Sequence, residues 1–162
     1  MTVRAASIRA VVGLGANLGD RLAMMRAAVR QLKQVAAVES TSRVYRTAPV
    51  GGLTQPEFLN AAALVTYRGS PAALLDALLA IEVRLGRERV ERWGPRVIDL
   101  DLLWIDGLAV DSTALVVPHP RLLERAFALV PLLELVPTAR DPRTGQPYVA
   151  PPGEVQITDD SL

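Results

Sequence analysis

The chain has 162 residues, of which 50% are hydrophobic and 22% charged, an ordinary balance for one globular domain with a substantial core. Its formal net charge of +1 gives no electrostatic reason to expect nucleic acid, and the lack of cysteine excludes disulfides and thiolate metal sites. No apolar run approaches the roughly 18 residues of a membrane helix. We therefore expect a soluble, cytoplasmic protein that binds neither nucleic acid nor membrane.

The first predicted elements are a strand and a helix joined by a glycine-rich segment. Ile8–Leu14 is a short apolar run, and Gly13–Asp20 reads GLGANLGD. The glycine order is G-x-G-x-x-x-G, which differs from the dinucleotide-binding order, so we interpret the segment as a structural turn in which Asn17 or Asp20 caps the next helix. Apolar residues at spacings of three and four predict that helix over Asp20–Ala36.

Two strands are predicted next, one on each side of a loop. Val38–Arg46 is rich in β-forming residues and predicts a half-exposed strand, whereas prolines and glycines indicate a loop over Thr47–Pro56. Phe58–Tyr67 predicts the following strand, in which Phe58 and Asn60 lie on one face. Phe58 could be a core aromatic or a ligand contact. Asn60 needs a polar partner in such an apolar strand, which supports the interpretation of this face as a ligand contact.

A second helix is predicted between Ser70, a typical N-cap, and Gly86, which suits the C-terminal end. Pro71 fits the first helical position. Glu82 lies beside the apolar stripe of this helix, one turn before an arginine-rich segment. It could hold one of those arginines or contact a ligand, although a solvated helix carboxylate is the simpler interpretation.

The segment after this helix carries the strongest chemical signal. Four arginines between positions 87 and 96 precede Val97–Ile105, an apolar run that predicts a strand covered on both faces. Asp99 and Asp101 project from the same face of this strand, with Cα atoms roughly 6.5 Å apart. Like charges this close favour a cation between them, and arginines bind phosphate oxygens, so the pattern predicts a metal and phosphate site. The competing interpretations are a solvent-facing strand edge and a solvated run of charges.

The last third of the chain predicts shorter elements. Asp106-Gly107 indicates a turn, and Leu108–Val110 is a possible added strand. His119 stands between two prolines and is expected on a rigid loop, where it could contact a ligand or cap the loop itself. Helical periodicity over Arg125–Leu135 is interrupted by Pro131, which predicts two short helical pieces.

The predicted order is strand, helix, strand, strand, helix, strand. This is the split-βαβ order of ferredoxin-like α+β folds, in which helices cover one face of an antiparallel sheet and leave the other face open for a substrate. We expect a single domain over residues 1–162, with residues 150–162 as a loose tail that frays at Asp159–Leu162. Many activities share this fold, so the function must be argued from the site.

Taken together, these residues resemble the 6-hydroxymethyl-7,8-dihydropterin pyrophosphokinase family. The most specific match is RWGPR at positions 92–96, followed by Asp99-Leu100-Asp101. Further matching blocks occur in the family's order, at Gly13–Asp20, Tyr45–Thr47, Gln55–Asn60, Ile81–Glu82, Pro118–His119 and Arg125–Phe127. The resemblance implies transfer of diphosphate from ATP to the hydroxymethyl group of the pterin, with release of AMP, in folate biosynthesis by a monomer.

The resemblance also implies roles for individual residues. Asp99 and Asp101 match the family's ligands for two Mg²⁺ ions, and Arg87 and Arg96 join them as catalytic residues. The residues implied to bind the pterin are Thr47, Val50, Phe58, Asn60, Trp93 and Phe127. The residues implied to bind ATP are Glu82, Arg87, Arg89, Trp93, Arg96, Ile98, His119 and Arg125. Trp93 and Arg89 would sit in a loop that closes over both substrates.

Two other classes of function compete with this one, a binding module and a different enzyme. A ferredoxin-like RNA-binding module would show exposed strand aromatics and a basic face, but the chain is only 4% aromatic and nearly neutral. A regulatory ligand-binding domain has no use for paired strand carboxylates beneath arginines. A metal-dependent phosphohydrolase would use the same residue types, and it differs in forming AMP without the pterin alcohol.

Overall fold

The computed structural model describes residues 6–17, 19–47, 57–86, 98–153 and 155–162. Several residues singled out by the sequence lie outside these ranges, namely Val50, Arg87, Arg89, Trp93 and Arg96. The long proline- and glycine-containing loop predicted before Phe58 also lies almost entirely outside them. Among the described residues, no helix is both long and apolar enough to cross a membrane.

The first two helices begin and end where local signals predict. Helix α1 spans Arg21–Val35, and the Asp20 carboxylate accepts a hydrogen bond from the Ala23 backbone N–H at 3.1 Å. Helix α2 spans Pro71–Arg84, and the Ser70 hydroxyl accepts from the Ala73 N–H at the same distance. Both caps satisfy an N–H group that has no partner within its own helix.

The strands form an antiparallel sheet, as predicted. In the described part of the chain its order is β5 (Asp99–Ile105), β1 (Ser7–Ala16), β4 (Phe58–Arg68), β3 (Arg43–Thr47) and β8 (Gln156–Ser161), while β2 (Ala37–Thr41) pairs with the remaining length of β4. A separate short ladder joins β6 (Val110–Asp111) to β7 (Val116–Val117). The first and third pattern strands are central, so the predicted α+β split-βαβ arrangement is confirmed.

Two hydrophobic cores lie on opposite faces of the sheet. On one face, α1 and α2 bury Met25, Leu32, Leu74 and Leu78 against alternate residues of β1 and β4. On the other face, a third helix, α3 (Ala126–Leu135), covers part of the sheet through Leu129 and its neighbours. The second face, which was predicted to be open, is therefore open only beyond the N-terminal end of α3.

The predicted loose tail is wrong. Residues Gln156–Ser161 form β8, which pairs antiparallel with β3 so that Ile157 lies opposite Tyr45. The Thr158 hydroxyl also donates to the backbone carbonyl of Val44 at 2.9 Å. Apart from Ile157 the residues of β8 are polar and show no alternation, but β3 offers the strand an unpaired edge, and backbone hydrogen bonds do not depend on side-chain pattern.

Three further expectations need correction. The predicted strand Val38–Arg46 is two strands, because buried Ser42 interrupts it and exchanges hydrogen bonds with Ala62 of β4 at 2.8 Å. Helix α3 is continuous through buried Pro131, because packing on the sheet outweighs one lost backbone bond. The predicted glycine turn begins later, because β1 continues through Gly13 and Gly15 to Ala16.

Candidate active site

A cavity of about 520 Å³ opens on the second face of the sheet, beside the N-terminal end of α3. Strands β1, β4 and β5 form its floor, the end of β3 forms one side, and the segment leading into α3 forms the other. Its lining residues are Gly13, Leu14, Gly15, Thr47, Phe58, Asn60, Ala61, Asp99, Asp101, Leu103, Arg121, Glu124, Arg125, Phe127 and Ala128. Residues far apart in sequence therefore meet in one concave site.

In the register of the three strands, Gly15 of β1 lies between the amide residue Asn60 and the carboxylate residue Asp99. Gly15 pairs with Asn60 of β4 on one side and with Asp99 of β5 on the other, and Gly13 is the register partner of Asp101. A Cβ atom at Gly15 would lie 3.3 Å from the Asn60 Oδ1, which is a tight approach. The lack of a side chain at Gly15 thus leaves space for the polar side chains that converge there.

Asn60 is oriented by a hydrogen bond within the site. It is buried, and its Nδ2 donates to the Thr47 hydroxyl at 2.8 Å. A buried amide requires such a partner, because an unpaired one would lose its bonds to water. The sequence indicates that this amide needs a partner, and Thr47 meets part of that need.

Both phenylalanines of the chain line the cavity, from different elements. Phe58 is half-buried at the start of β4, and Phe127 is 36% exposed in the first turn of α3. The Arg125 guanidinium lies 5.6 Å from the centre of the Phe127 ring, within reach of a cation–π contact. An exposed aromatic beside a cavity offers a surface on which a flat ring can stack.

Asp101 of β5 lies near the loop that carries the single histidine. The His119 Nδ1 accepts a hydrogen bond from the Arg121 N–H at 3.2 Å, so the ring does cap its own loop. Burial lowers the pKa of His119, the nearby Asp101 charge opposes that effect, and Arg125 and Arg121 lower the pKa further. The imidazole is therefore held toward its neutral form between charges of both signs.

Glu82 lies elsewhere, beneath the strand rather than in the cavity. It is only 2% exposed, and its Oε1 accepts from the Leu100 N–H at 3.0 Å. The simpler interpretation of Glu82 as a solvated helix carboxylate is therefore wrong. Ile98 is fully buried in the core between the sheet and the first two helices, so its side chain does not line the cavity.

Comparison with known proteins decides the family. The family model for 7,8-dihydro-6-hydroxymethylpterin-pyrophosphokinase (HPPK) matches residues 11–137. The chain belongs to the HPPK family. A relative from Methylorubrum extorquens, named 2-amino-4-hydroxy-6-hydroxymethyldihydropteridine pyrophosphokinase, is 47% identical over 80% of this chain and 83% of its own length. A relative of the same name from Bacillus subtilis is 45% identical over 78% of this chain and 77% of its own length.

Solved structures agree with this family at the level of the fold. The HPPK-DHPS structure of Plasmodium falciparum superposes with a TM-score of 0.71 at 13% sequence identity. The match covers 88% of this chain but 44% of the other, so this chain spans less than half of that protein. At 13% identity, this similarity shows only that the two proteins share a fold.

The structure brings together most of the described residues that the HPPK resemblance singled out. Those that line the cavity are Thr47, Phe58, Asn60, Asp99, Asp101, Arg125 and Phe127. His119 lies close enough to Asp101 for their charges to interact. Glu82 and Ile98 lie behind β5, where they contact the strand rather than the cavity.

Sequence reasoning missed two charged residues of this HPPK cavity. Arg121 and Glu124 line it and form an ion pair at 3.3 Å, with both side chains largely exposed. Arg121 lies two residues after His119, so its proximity to the predicted site was an available signal. Glu124 falls in a short 3₁₀ helix, Leu122–Glu124, which is too short to show a periodic pattern in the sequence.

Proposed function

We propose that this chain transfers diphosphate from ATP to the hydroxymethyl group of 6-hydroxymethyl-7,8-dihydropterin in folate biosynthesis, as a single-domain cytoplasmic monomer. The pterin hydroxyl oxygen attacks the β-phosphorus of ATP, the bond from that phosphorus to the oxygen bridging the α-phosphate breaks, and AMP leaves. The hydroxyl proton is released in the same process. The observation that carries this proposal is one cavity in an HPPK chain that joins paired carboxylates to two aromatic rings and an oriented amide.

The pterin end of the cavity is the end formed by β3, β4 and α3. The flat heterocycle would lie between the ring of Phe58, from β4, and the ring of Phe127, from α3. Because the Asn60 Nδ2 is engaged by Thr47, the Asn60 Oδ1 is the acceptor we assign to N–H groups at the pterin edge. A buried amide matched to such an edge rejects rings that lack the partner group.

The carboxylates fit the binding of Mg²⁺ together with a polyphosphate. Asp99 and Asp101 both line the cavity, and the described residues contain no cluster of three or more metal-binding side chains. Mg²⁺ commonly uses one or two protein carboxylates and takes its other ligands from water and substrate phosphates, so two aspartates suffice. Bound there, two such ions would neutralise phosphate charge and align the attacking and leaving oxygens.

Positive groups on the opposite wall would hold the triphosphate. Arg125 lines the cavity and carries the one charge of this wall that the resemblance assigns to ATP. Because Arg125 lies beside Phe127, phosphates bound by Arg125 would be next to a pterin stacked on Phe127, as transfer between the two substrates requires. We extend the nucleotide site to His119, and we propose that Glu82 and Ile98, which lie behind β5, serve this site by holding that strand in place.

We further propose that the arginine-rich segment completes the nucleotide site. Arg87 and Arg96 would bind phosphate oxygens, because guanidinium groups match them with paired hydrogen bonds. Arg89 and Trp93 would cover both substrates and limit hydrolysis by water, and Val50 would contribute its backbone to the pterin edge. This part of the proposal rests on the sequence resemblance alone, because these positions lie outside the described residues.

The deciding assay measures AMP formed from ATP and Mg²⁺ with and without hydroxymethyldihydropterin. We expect AMP only when the pterin alcohol is present, together with an equal amount of pterin diphosphate. AMP formation that ignores the pterin would show a phosphohydrolase. Binding of the pterin without turnover would indicate a regulatory module, and either result overturns the proposal.

A further inference from the structure

We propose that Gly153, in the segment beyond the part of the chain that the family model matches, is a positioning residue for the aromatic wall of the pterin site. The family model ends at residue 137, so it assigns no role to this segment. The inference rests on the proposed function, because it concerns the substrate face of the same cavity. It depends on one close contact and on how firmly both partners of that contact are held.

The contact joins Gly153 to the first residue of α3. A Cβ atom built on Gly153 would lie 3.1 Å from the Cβ of Ala126, closer than nearly all such contacts in proteins. Ala126 stands between Arg125 and Phe127, both of which line the cavity. The backbone at residue 153 therefore abuts the turn that carries the stacking ring.

The segment that carries Gly153 is anchored just beyond it. Strand β8 pairs with β3, and its Ser161 carbonyl accepts from the Nε and Nη2 of Arg26 on α1, at 3.2 and 3.0 Å. Leu162 then packs against the core under α1 and α2. Because β8 begins three residues after Gly153 and is paired with β3, the distance by which Gly153 can withdraw from Ala126 is limited.

The C-terminal end of α3 is bonded to β3, the strand with which β8 pairs. Glu134, in the last turn of α3, accepts hydrogen bonds from the Tyr45 hydroxyl and from the Arg43 backbone N–H, the latter at 3.0 Å. Tyr45 pairs directly with Ile157 of β8. Helix α3 is thus held by β3 at its C-terminal end, while its N-terminal end meets the backbone at Gly153, so we expect an added group at residue 153 to displace Ala126 and its neighbour Phe127.

The expected effect is a loss of affinity that is larger for the pterin than for the nucleotide. A Cβ at this distance requires a shift of a few tenths of an ångström, and misplacement by about 1 Å can cost about a hundredfold at a site of this kind. For Gly153→Val we expect the pterin Kd to rise roughly three- to tenfold. The Kd for a non-hydrolysable ATP analogue should rise less than this, because Arg125 is the one group assigned to the nucleotide that adjoins Ala126, whereas the carboxylates stand on β5.

The decisive test exchanges the glycine and the alanine between positions 153 and 126. Gly153→Ala should weaken pterin binding, and Gly153→Ala combined with Ala126→Gly should restore it, because the second change removes the opposing Cβ. The single variant Ala126→Gly measures the cost of glycine at the helix start, and Ala150→Val, at an exposed position of the same segment, is the matched control. Each protein is compared by pterin Kd, analogue Kd, kcat and Tm.

The outcomes separate this inference from the proposed function. If the unaltered protein forms AMP with the pterin but Gly153→Val binds the pterin normally, the positioning role is overturned and the function stands. If Gly153→Val loses pterin and nucleotide affinity in proportion to a fall in Tm, the residue is merely structural and the inference again fails. If the double variant recovers no pterin affinity over Gly153→Ala, the contact with Ala126 is not the cause. An unaltered protein without pterin-dependent turnover overturns both proposals.

Discussion

Glu82 of α2 accepts a hydrogen bond from the backbone N–H of Leu100, the residue between the two aspartates of β5, at 3.0 Å. Glu82 is buried, and so is the Leu100 side chain, which packs in the core under α1 and α2. This hydrogen bond to a buried carboxylate fixes the position of the β5 backbone between Asp99 and Asp101. The geometry of the acidic pair depends on a residue that does not line the cavity.

Replacing Glu82 should therefore affect both stability and the acidic pair. Glu82→Leu leaves the Leu100 N–H without this acceptor, and a buried unpaired group costs about 1–3 kcal/mol in the free energy of unfolding. Glu82→Gln keeps an oxygen acceptor and should cost less. Urea unfolding measures the first effect, and the Mg²⁺ concentration that gives half-maximal turnover measures the second, which should rise more for leucine than for glutamine. Equal stability losses for the two variants would contradict the hydrogen-bond argument.

Asp99→Asn and Asp101→Asn should each abolish transfer while the protein stays folded. Loss of a carboxylate that binds Mg²⁺ removes several kcal/mol of charge stabilisation, which corresponds to a fall in kcat of about a thousandfold. Neither aspartate is fully buried, so we expect the free energy of unfolding to change by less than about 1 kcal/mol.

Asp106→Asn is the matched control for the acidic pair. Asp106 follows the same strand, is exposed, and lies 4.0 Å from Arg9 rather than in the cavity. It should retain full turnover. Pterin-dependent AMP formation at normal rates in Asp99→Asn would refute the metal assignment.

Local chemistry explains which parts of the fold the sequence predicts. The caps at Asp20 and Ser70 act within one helical turn, so their residue types alone locate α1 and α2. The same-face placement of Asp99 and Asp101 follows from strand geometry and holds in the structure, where both line one cavity.

The features that the sequence could not predict depend on distant partners. The pairing of β8 rests on an edge of β3 more than 100 positions earlier, and its own side chains are mostly exposed. The burial of Glu82 depends on an N–H supplied by another element. The place of Arg121 in the cavity depends on the path of the loop before α3, which no periodic pattern fixes.

Phe127 should contribute to the pterin site alone. Its exposed ring lines the cavity, and removing one stacking surface in Phe127→Ala should raise the pterin Kd about tenfold, or about 1.4 kcal/mol. Leu123→Ala is the matched control, since Leu123 is 58% exposed in the neighbouring 3₁₀ helix and does not line the cavity. Fluorescence titration gives both constants. Equal pterin affinity in the two variants would exclude stacking by Phe127.

The pair formed by Tyr45 and Glu134 should give stability a dependence on alkaline pH. Burial, together with the hydrogen bond to Glu134 and its negative charge, raises the pKa of Tyr45 to about 12. In the unfolded chain a tyrosine titrates near 10, so between about pH 10 and 12 the unfolded state holds fewer protons than the folded state. Stability must therefore fall as pH rises through this window, by at most about 1.4 kcal/mol per pH unit from Tyr45.

Tyr45→Phe tests this sign directly. At pH 8 the variant lacks the hydrogen bond to Glu134 and should be less stable than the unaltered protein by about 1 kcal/mol. At pH 11 the phenylalanine has no proton to lose, so the difference should vanish or reverse. The pKa of Tyr148 is also raised by burial, but Tyr148 is present in both proteins and its effect cancels. Urea unfolding at pH 8, 9.5 and 11 measures the difference, and a difference that stays constant across this range would show that Tyr45 keeps its ordinary pKa in the folded protein.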